Sequence, residues 1–145
     1  MQEQAQRFAE KAIDISRFLL EIGFKPGSLS KAHTYTYQDA CHLKNAQNIA
    51  SEPRKLLQAI PNLNLVEIGD EGRCCGSAGT YIIEQPEDAK RLGMEKATAI
   101  RTTKAEGVIS GNIGCITQIK MYVEEYNLPV YQTVEVLAET IPDLK

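Results

Sequence analysis

The sequence lacks three features that would point to a membrane or to nucleic acid. No apolar run approaches the roughly 18–20 residues that a helix needs to span a bilayer. Lys and Arg form no cluster that would follow a phosphate backbone, and the net charge is −3, so nucleic acid is not an expected partner. The amino-terminal stretch is charged and periodic, without the apolar core of a secretory signal. We therefore expect a cytoplasmic protein without a transmembrane segment.

What the chain does contain is typical of one globular domain. Its 145 residues suffice for a hydrophobic core, and its apolar fraction of 43% and charged fraction of 24% are ordinary. The sequence also has four cysteines. Because the cytoplasm keeps thiols reduced, several cysteines indicate metal or redox chemistry rather than disulfides.

Hydrophobic periodicity predicts helices that alternate with strands. Residues 3–22 carry apolar side chains at three- and four-residue spacing and predict an amphipathic N-terminal helix that stops at Gly23. The predicted strands are "HTYTYQDA", "NLNLVEI", "GVISG" and, at an edge, "LPVYQ". The other predicted helices start at Ser51, run from Pro86 to about Lys104, run from Cys115 to Tyr126, and follow a cap at Thr133.

This alternation predicts an α/β fold with a small, three- to four-stranded, mainly parallel sheet covered by helices. We expect residues 1–30 to form the N-terminal helix and a linker, and residues 31–145 to form a single domain. The cysteines occupy equivalent places in this scheme. Cys41 follows the first predicted strand, Cys74 and Cys75 follow the second, and Cys115 follows the third. Because ligands of parallel sheets collect beyond the carboxyl ends of the strands, three loops are expected to bring four sulfurs to one edge.

Four interpretations of the cysteines compete: packing as small hydrophobes, a disulfide, a catalytic nucleophile and a metal centre. Their common position at strand ends argues against simple packing. A bond between the neighbours Cys74 and Cys75 would be strained. Neighbours in an extended segment point to opposite sides, so Cys41 beside His42 does not indicate a catalytic dyad.

A metal centre remains, and both zinc and an iron–sulfur cluster accept four thiolates. Adjacent cysteines fit a single ion badly because their side chains diverge, whereas they fit well on different irons of a cluster. The geometry therefore favours iron and sulfide over zinc. Gly76 and Gly79 would let the backbone approach closely and direct N–H groups at an anionic cluster.

The cysteine spacing resembles that of the cysteine-rich CCG domain family. Cys41 is followed by the CCG stretch at 74–76 and by the NIGC stretch at 112–115. This family includes the cysteine-rich subunit of heterodisulfide reductase and the iron–sulfur subunits of lactate-utilisation and glycolate oxidase complexes. The segments "DACHLKNAQN", "CCGSAGTY", "QPEDAKRLGMEKATAI" and "SGNIGCITQI" are most similar to the C-terminal region of the glycolate oxidase iron–sulfur subunit.

The resemblance implies an iron–sulfur electron-transfer domain of a glycolate-type (2-hydroxyacid) oxidoreductase complex. Such a domain receives electrons from a partner flavoprotein subunit and is not catalytic alone. The resemblance also implies that Cys41, Cys74, Cys75 and Cys115, with Gly76 beside them, bind a cluster of the [4Fe–4S] type. Two alternatives stay open: a zinc-binding or cluster-free interaction module, and a domain of the thiol–disulfide reductase type.

Full subunits of this family also carry a ferredoxin-like region and a second CCG copy. This sequence has no CxxCxxCxxxCP run and only one CCG copy, so we expect a fragment of a larger subunit. Any peripheral association with a membrane would then occur through its partners.

Asn112 departs from the family motif, which ends in CxxC and has a cysteine at this position. Since asparagine is a weak iron ligand, the non-cubane cluster and the disulfide chemistry of five-cysteine relatives are not expected. Asn112 is expected to cap the helix near Cys115, with a hydrogen bond to sulfur as the alternative. His42 is expected to pack or to form a hydrogen bond in its loop rather than bind metal, and Lys44 and Arg73 are expected to be solvated.

Overall fold

A computed structural model describes residues 2–9 and 11–142. The α-helices are α1 (Gln2–Ala9), α2 (Ile15–Glu21), α3 (Ser51–Gln58), α4 (Tyr81–Glu84), α5 (Pro86–Thr102), α6 (Ile113–Val123) and α7 (Thr133–Ala138). The strands are β1 (His33–Gln38), β2 (Leu63–Glu67), β3 (Gly107–Ser110) and β4 (Val130–Gln132). A short π-helix covers His42–Ala46, and a 3₁₀ turn covers Glu124–Tyr126. Within the described residues, no helix is both long and apolar enough to cross a membrane.

The four strands form one sheet in the order β2-β1-β3-β4, and every neighbouring pair is parallel. Each connection between successive strands contains at least one helix, as parallel pairing requires. The predicted α/β class, the parallel sheet and its helical cover are therefore confirmed, and β4 lies at an edge as expected.

Helices cover both faces of the sheet because successive strand residues point to opposite sides. Val108 packs into a core beneath α5 and α6, whereas its neighbour Ile109 packs into a core beneath α3 and α7. The first core also contains Cys75 and Cys115. The sulfur-bearing loops are thus continuous with the hydrophobic interior on the α5–α6 side of the sheet.

The single N-terminal helix predicted over residues 3–22 is wrong in its continuity. The chain is not helical over residues 11–14, and α2 starts anew after Asp14, whose carboxylate accepts a hydrogen bond from the Ser16 N–H at 2.9 Å. The predicted apolar stripe is not fully buried against the domain either, since Phe8 is 77% exposed and Ile22 is 60% exposed. The local cap at Asp14 therefore outweighs the helical periodicity of the sequence, and a new helix starts there.

Three smaller differences concern helix ends close to the site. The helix predicted from Cys115 begins earlier, at Ile113. Thr133 is the first residue of α7 rather than its cap; Gln132 caps this helix and shares a capping box with Glu135. The π-helix after Cys41 and the short helix α4 were not predicted.

Candidate metal centre

The four cysteines lie in three loops at the carboxyl edge of the sheet. Cys41 precedes the π-helix that follows β1, and Cys74 and Cys75 lie in the loop after β2. Cys115 is in the first turn of α6, which follows β3. Neighbouring parallel strands end at the same edge, so residues far apart in sequence come together here.

The thiols lie next to one another in a row of contacts. Cys41 is hydrogen-bonded to Cys74, Cys74 to Cys75, and Cys75 to Cys115. All four are free cysteines. Within residues 2–9 and 11–142, no three His, Cys, Asp or Glu side chains are arranged as ligands of a single metal ion. The expected convergence of the loops is present, and the sulfurs follow one another in series.

Backbone N–H groups point at three of the sulfurs. Gly76 donates its N–H to the Cys74 sulfur at 3.4 Å, and the N–H groups of His42 and Ser77 donate to the sulfurs of Cys41 and Cys75. Such donors stabilise negative charge on sulfur. The site is therefore built to hold thiolates as well as thiols.

Gly76 is required by the geometry of this turn. Its φ of +88° lies in the region that favours glycine, and a Cβ atom here would stand 2.5 Å from the carbonyl oxygen of Ala89 on α5. The loop therefore passes directly against α5. This close approach fixes the depth at which the cysteine pair enters the protein.

Asn112 caps α6, as the sequence predicts. Its side-chain oxygen accepts hydrogen bonds from the N–H groups of Gly114 at 2.9 Å and Cys115 at 3.2 Å. These two N–H groups have no partner within the helix, so the cap stabilises the turn that carries Cys115.

A cleft of about 630 Å³ opens over the row of thiols. Cys41, Cys75 and Cys115 line it, and Cys74 contacts two of them from beside it. His42 also lines the cleft and is exposed. Four thiols at one cleft are a donor set suited to a soft, thiophilic metal, and the residues present fit an iron–sulfur cluster.

Each thiol in the row shifts the pKa of its neighbours. Burial is the main cause that raises the pKa of Cys41, and hydrogen bonding to Cys75 raises the pKa of Cys74. Hydrogen bonding to Cys115 raises the pKa of Cys75 to about 11, and the same bond lowers the pKa of Cys115. Without a cation, the first three therefore stay protonated at neutral pH. A metal centre would supply the positive charge that stabilises all four as thiolates.

Arg54 ties the Cys41 loop to the rest of the sheet, and sequence reasoning missed it. Its guanidinium donates to both carboxylate oxygens of Asp39 at 2.6 and 3.0 Å, and to both of Glu67 at 2.7 and 2.8 Å. It also lies over the ring of Tyr37, 4.9 Å from the centroid. The carboxyl ends of β1 and β2 are thereby held together next to Cys41.

Lys96 and Asp70 form a second, more deeply buried ion pair that was also missed. The sequence does contain a signal, since Lys96 lies on the buried stripe of α5 with Ala89, Gly93 and Ile100. A lysine on an apolar helix face requires a partner. The two cations that the sequence did single out are paired at the surface, Lys44 with Asp39 and Arg73 with Glu95.

Comparison with known proteins agrees with this architecture. Residues 35–120, more than half of the chain, match the model of the cysteine-rich (CCG) domain. The chain belongs to this family. In this cysteine-rich domain, the matched region includes all four cysteines, most of β1, the whole of β2 and β3, and most of α6.

The relatives of this cysteine-rich domain include named iron–sulfur proteins. It is 35% identical over 128 residues to the probable glycolate oxidase iron–sulfur subunit of Bacillus subtilis strain 168, and the match covers 87% of this chain and 29% of that protein. It is 37% identical to one subunit of the fumarate reductase (CoM/CoB) of Methanothermobacter marburgensis, over 86% of this chain and 26% of that protein. It is 31% identical to the lactate utilization protein A of Oceanobacillus iheyensis, over 94% of this chain and 57% of that protein. The chain therefore spans between about a quarter and somewhat more than half of these relatives.

Proposed function

We propose that this chain is an iron–sulfur electron-transfer domain of a 2-hydroxyacid (glycolate-type) oxidoreductase complex. Cys41, Cys74, Cys75 and Cys115 bind a [4Fe–4S] cluster, and Gly76 lets the backbone approach it. Such a cluster accepts and releases single electrons when bound. In this proposal residues 31–145 are the cysteine-rich domain and residues 1–30 precede it.

The observation that carries the proposal is the row of four thiols, three of which line one cleft. Three loops contribute to it, and backbone N–H groups already point at three sulfurs. These groups orient the ligands and stabilise the charge that thiolates and cluster sulfide carry. Burial of Cys75 and Cys115 in the core keeps water away from one side of the site.

Two features favour a cluster over the alternative functions. The neighbours Cys74 and Cys75 stand in the middle of the row, an arrangement that suits several irons better than one zinc ion. A thiol–disulfide reductase needs an accessible attacking thiol of lowered pKa. The pKa values of both neighbours are raised, by hydrogen bonding first and by burial, and Cys115, whose pKa is lowered, is buried.

The names of the relatives support the electron-transfer role, because glycolate oxidase iron–sulfur subunits occur among them. We propose a flavoprotein subunit as the electron donor: its reduced flavin gives up one electron at a time, and the domain passes each electron to a further acceptor. No bond forms or breaks in the domain itself. Free thiols are compatible with the reducing cytoplasm, where we propose that it works.

The experiment is anaerobic reconstitution of the full chain with ferrous iron and sulfide, followed by desalting. We expect about four irons and about four acid-labile sulfides per chain, with broad visible absorption. Single Cys→Ser variants at the four positions should each lower iron content, whereas Ser77→Ala, which also lines the cleft, should not. About one zinc with no labile sulfide would establish the zinc alternative, and neither metal in the wild-type chain would refute the proposal.

A further inference from the structure

Lys96 is a charged side chain that lies almost completely inside the protein. Its side chain is 1% exposed, and it lies on α5 between residues that pack into the core under the site. Lysine is rarely buried to this extent unless it is paired. Burying an ammonium group costs free energy that a hydrophobic residue at this position would not cost, so the role of Lys96 must be sought in what its charge and its partner do.

The partner of Lys96 is Asp70, which organises the turn before the cysteine pair. One carboxylate oxygen of Asp70 binds the Lys96 ammonium, and the other accepts the N–H of Gly72 at 3.1 Å. The backbone carbonyl of Asp70 accepts the N–H of Arg73 at 3.1 Å. The chain enters Cys74 directly from this turn. The ion pair thus anchors the turn to α5 on one side, as the close approach of Gly76 does on the other.

The charge of Lys96 lies in a region that excludes water, beside the core that contains Cys75 and Cys115. Two other cations near the site, Lys44 and Arg73, are much more exposed, at 41% and 58%. Exposed charges are screened by water and salt, whereas buried ones are screened much less.

We propose that Lys96 is a positioning residue of the metal centre: held by Asp70, it fixes the turn that presents Cys74 and Cys75, and its buried positive charge stabilises the reduced cluster. This inference rests on the proposed function. Reduction adds one electron to the cluster, and no bond or proton is transferred. The more negative, reduced state therefore gains more from Lys96 than the oxidised state does.

The test is a redox titration of the reconstituted full chain with dithionite, at fixed pH, followed by visible and EPR spectroscopy. Lys96→Met removes the cation and leaves Asp70, so the midpoint potential should fall. Asp70→Asn removes the anion and leaves Lys96, so it should rise. We expect each change to alter the reduced-to-oxidised ratio at a fixed potential about tenfold, which equals about 59 mV for one electron.

Two further variants control for distortion of the fold. Lys90→Met removes an exposed lysine from the same helix and should leave the potential unchanged. The double variant Lys96→Met/Asp70→Asn lacks both charges of the pair and should lie between the two single variants. If Lys96→Met does not fold, Asp70→Asn and the double variant still test the inference, because removing the cation from Asp70→Asn must lower the potential.

Opposite shifts in the two single variants support a role of charge. Shifts in the same direction, or none beyond that of Lys90→Met, would overturn the inference while the proposed function stands, because the cluster is then present in every variant. A wild-type chain that binds no iron and sulfide would overturn both.

Discussion

Replacing Arg54 by methionine tests how the Cys41 loop is held. The guanidinium makes two bidentate pairs, with Asp39 and with Glu67, and one further bond to the carbonyl of Ala50 at 2.8 Å. Loss of the bond to Asp39 should cost most, since the Asp39 side chain is only 12% exposed. Among the described residues it would keep one cation as a partner, Lys44 at 3.8 Å. Glu67 is 56% exposed, so water solvates its carboxylate when the Arg54 guanidinium is removed.

Burial decides the magnitude of this effect. Breaking a buried pair costs about 3–5 kcal/mol and an exposed pair about 1 kcal/mol or less. Arg54 is 20% exposed, so we expect Arg54→Met to lower the free energy of unfolding by about 3 kcal/mol. In thermal unfolding this corresponds to a Tm lower by about 6–12 °C.

Urea unfolding of the metal-free chain measures this change, with an unchanged m value expected. Glu67→Gln is the matched control, because it weakens a bond to the same guanidinium at an exposed partner; we expect it to cost about 1 kcal/mol or less. Arg54→Lys should fall between the two, since an ammonium cannot make two bidentate pairs. If Arg54→Met lowers the free energy of unfolding no more than Glu67→Gln does, the conclusion that Arg54 holds the ends of β1 and β2 together is refuted.

Three further predictions concern the site itself. Asn112→Ala should cost about 1 kcal/mol in urea unfolding, and Asn112→Ser much less, because serine caps equally well; equal losses would contradict the cap. Gly76→Ala should cost about 3 kcal/mol from strain and overlap with Ala89, whereas Gly79→Ala, with φ +63° but open space around it, should cost about 1 kcal/mol; urea unfolding of both variants checks this difference. In the metal-free chain, the thiol of Cys75 should stabilise the fold below about pH 9, and this contribution should be lost as pH rises towards 11. Hydrogen bonding to Cys115 raises the pKa of Cys75 to about 11, so this thiol ionises at a lower pH in the unfolded chain than in the folded chain. Urea midpoints for wild type and Cys75→Ala should converge at high pH, and parallel curves would contradict this assignment.

The order of elements was predictable because their signals are local. A buried strand such as Gly107–Ser110 is recognisable in the sequence as a short apolar run. The start of α5 is recognisable as a proline followed by acidic residues. The position of the cysteines after three strands then follows from the rule for parallel sheets. The cap at Asn112 was also predictable, since it depends only on the residues that follow it.

The supports of the site were not predictable from local patterns. Arg54 pairs with Asp39 and Glu67, which lie 15 and 13 residues away in the sequence. Lys96 pairs with Asp70, which lies 26 residues away. These partners meet only after the sheet has assembled, so neither composition nor periodicity identifies them. The N-terminal segment failed for a different reason, because its helical periodicity is interrupted by the cap at Asp14.

The two ion pairs have complementary positions beside the site. Arg54 holds the loop of Cys41, and Lys96 holds the loop of Cys74 and Cys75. Cys115 needs neither, since a capped helix packed in the core carries it. All three loops are therefore fixed by interactions that contain no metal. If the chain binds a cluster as proposed, the cluster would stabilise a site that the fold has already built, unlike the ion of a zinc finger, on which the fold depends.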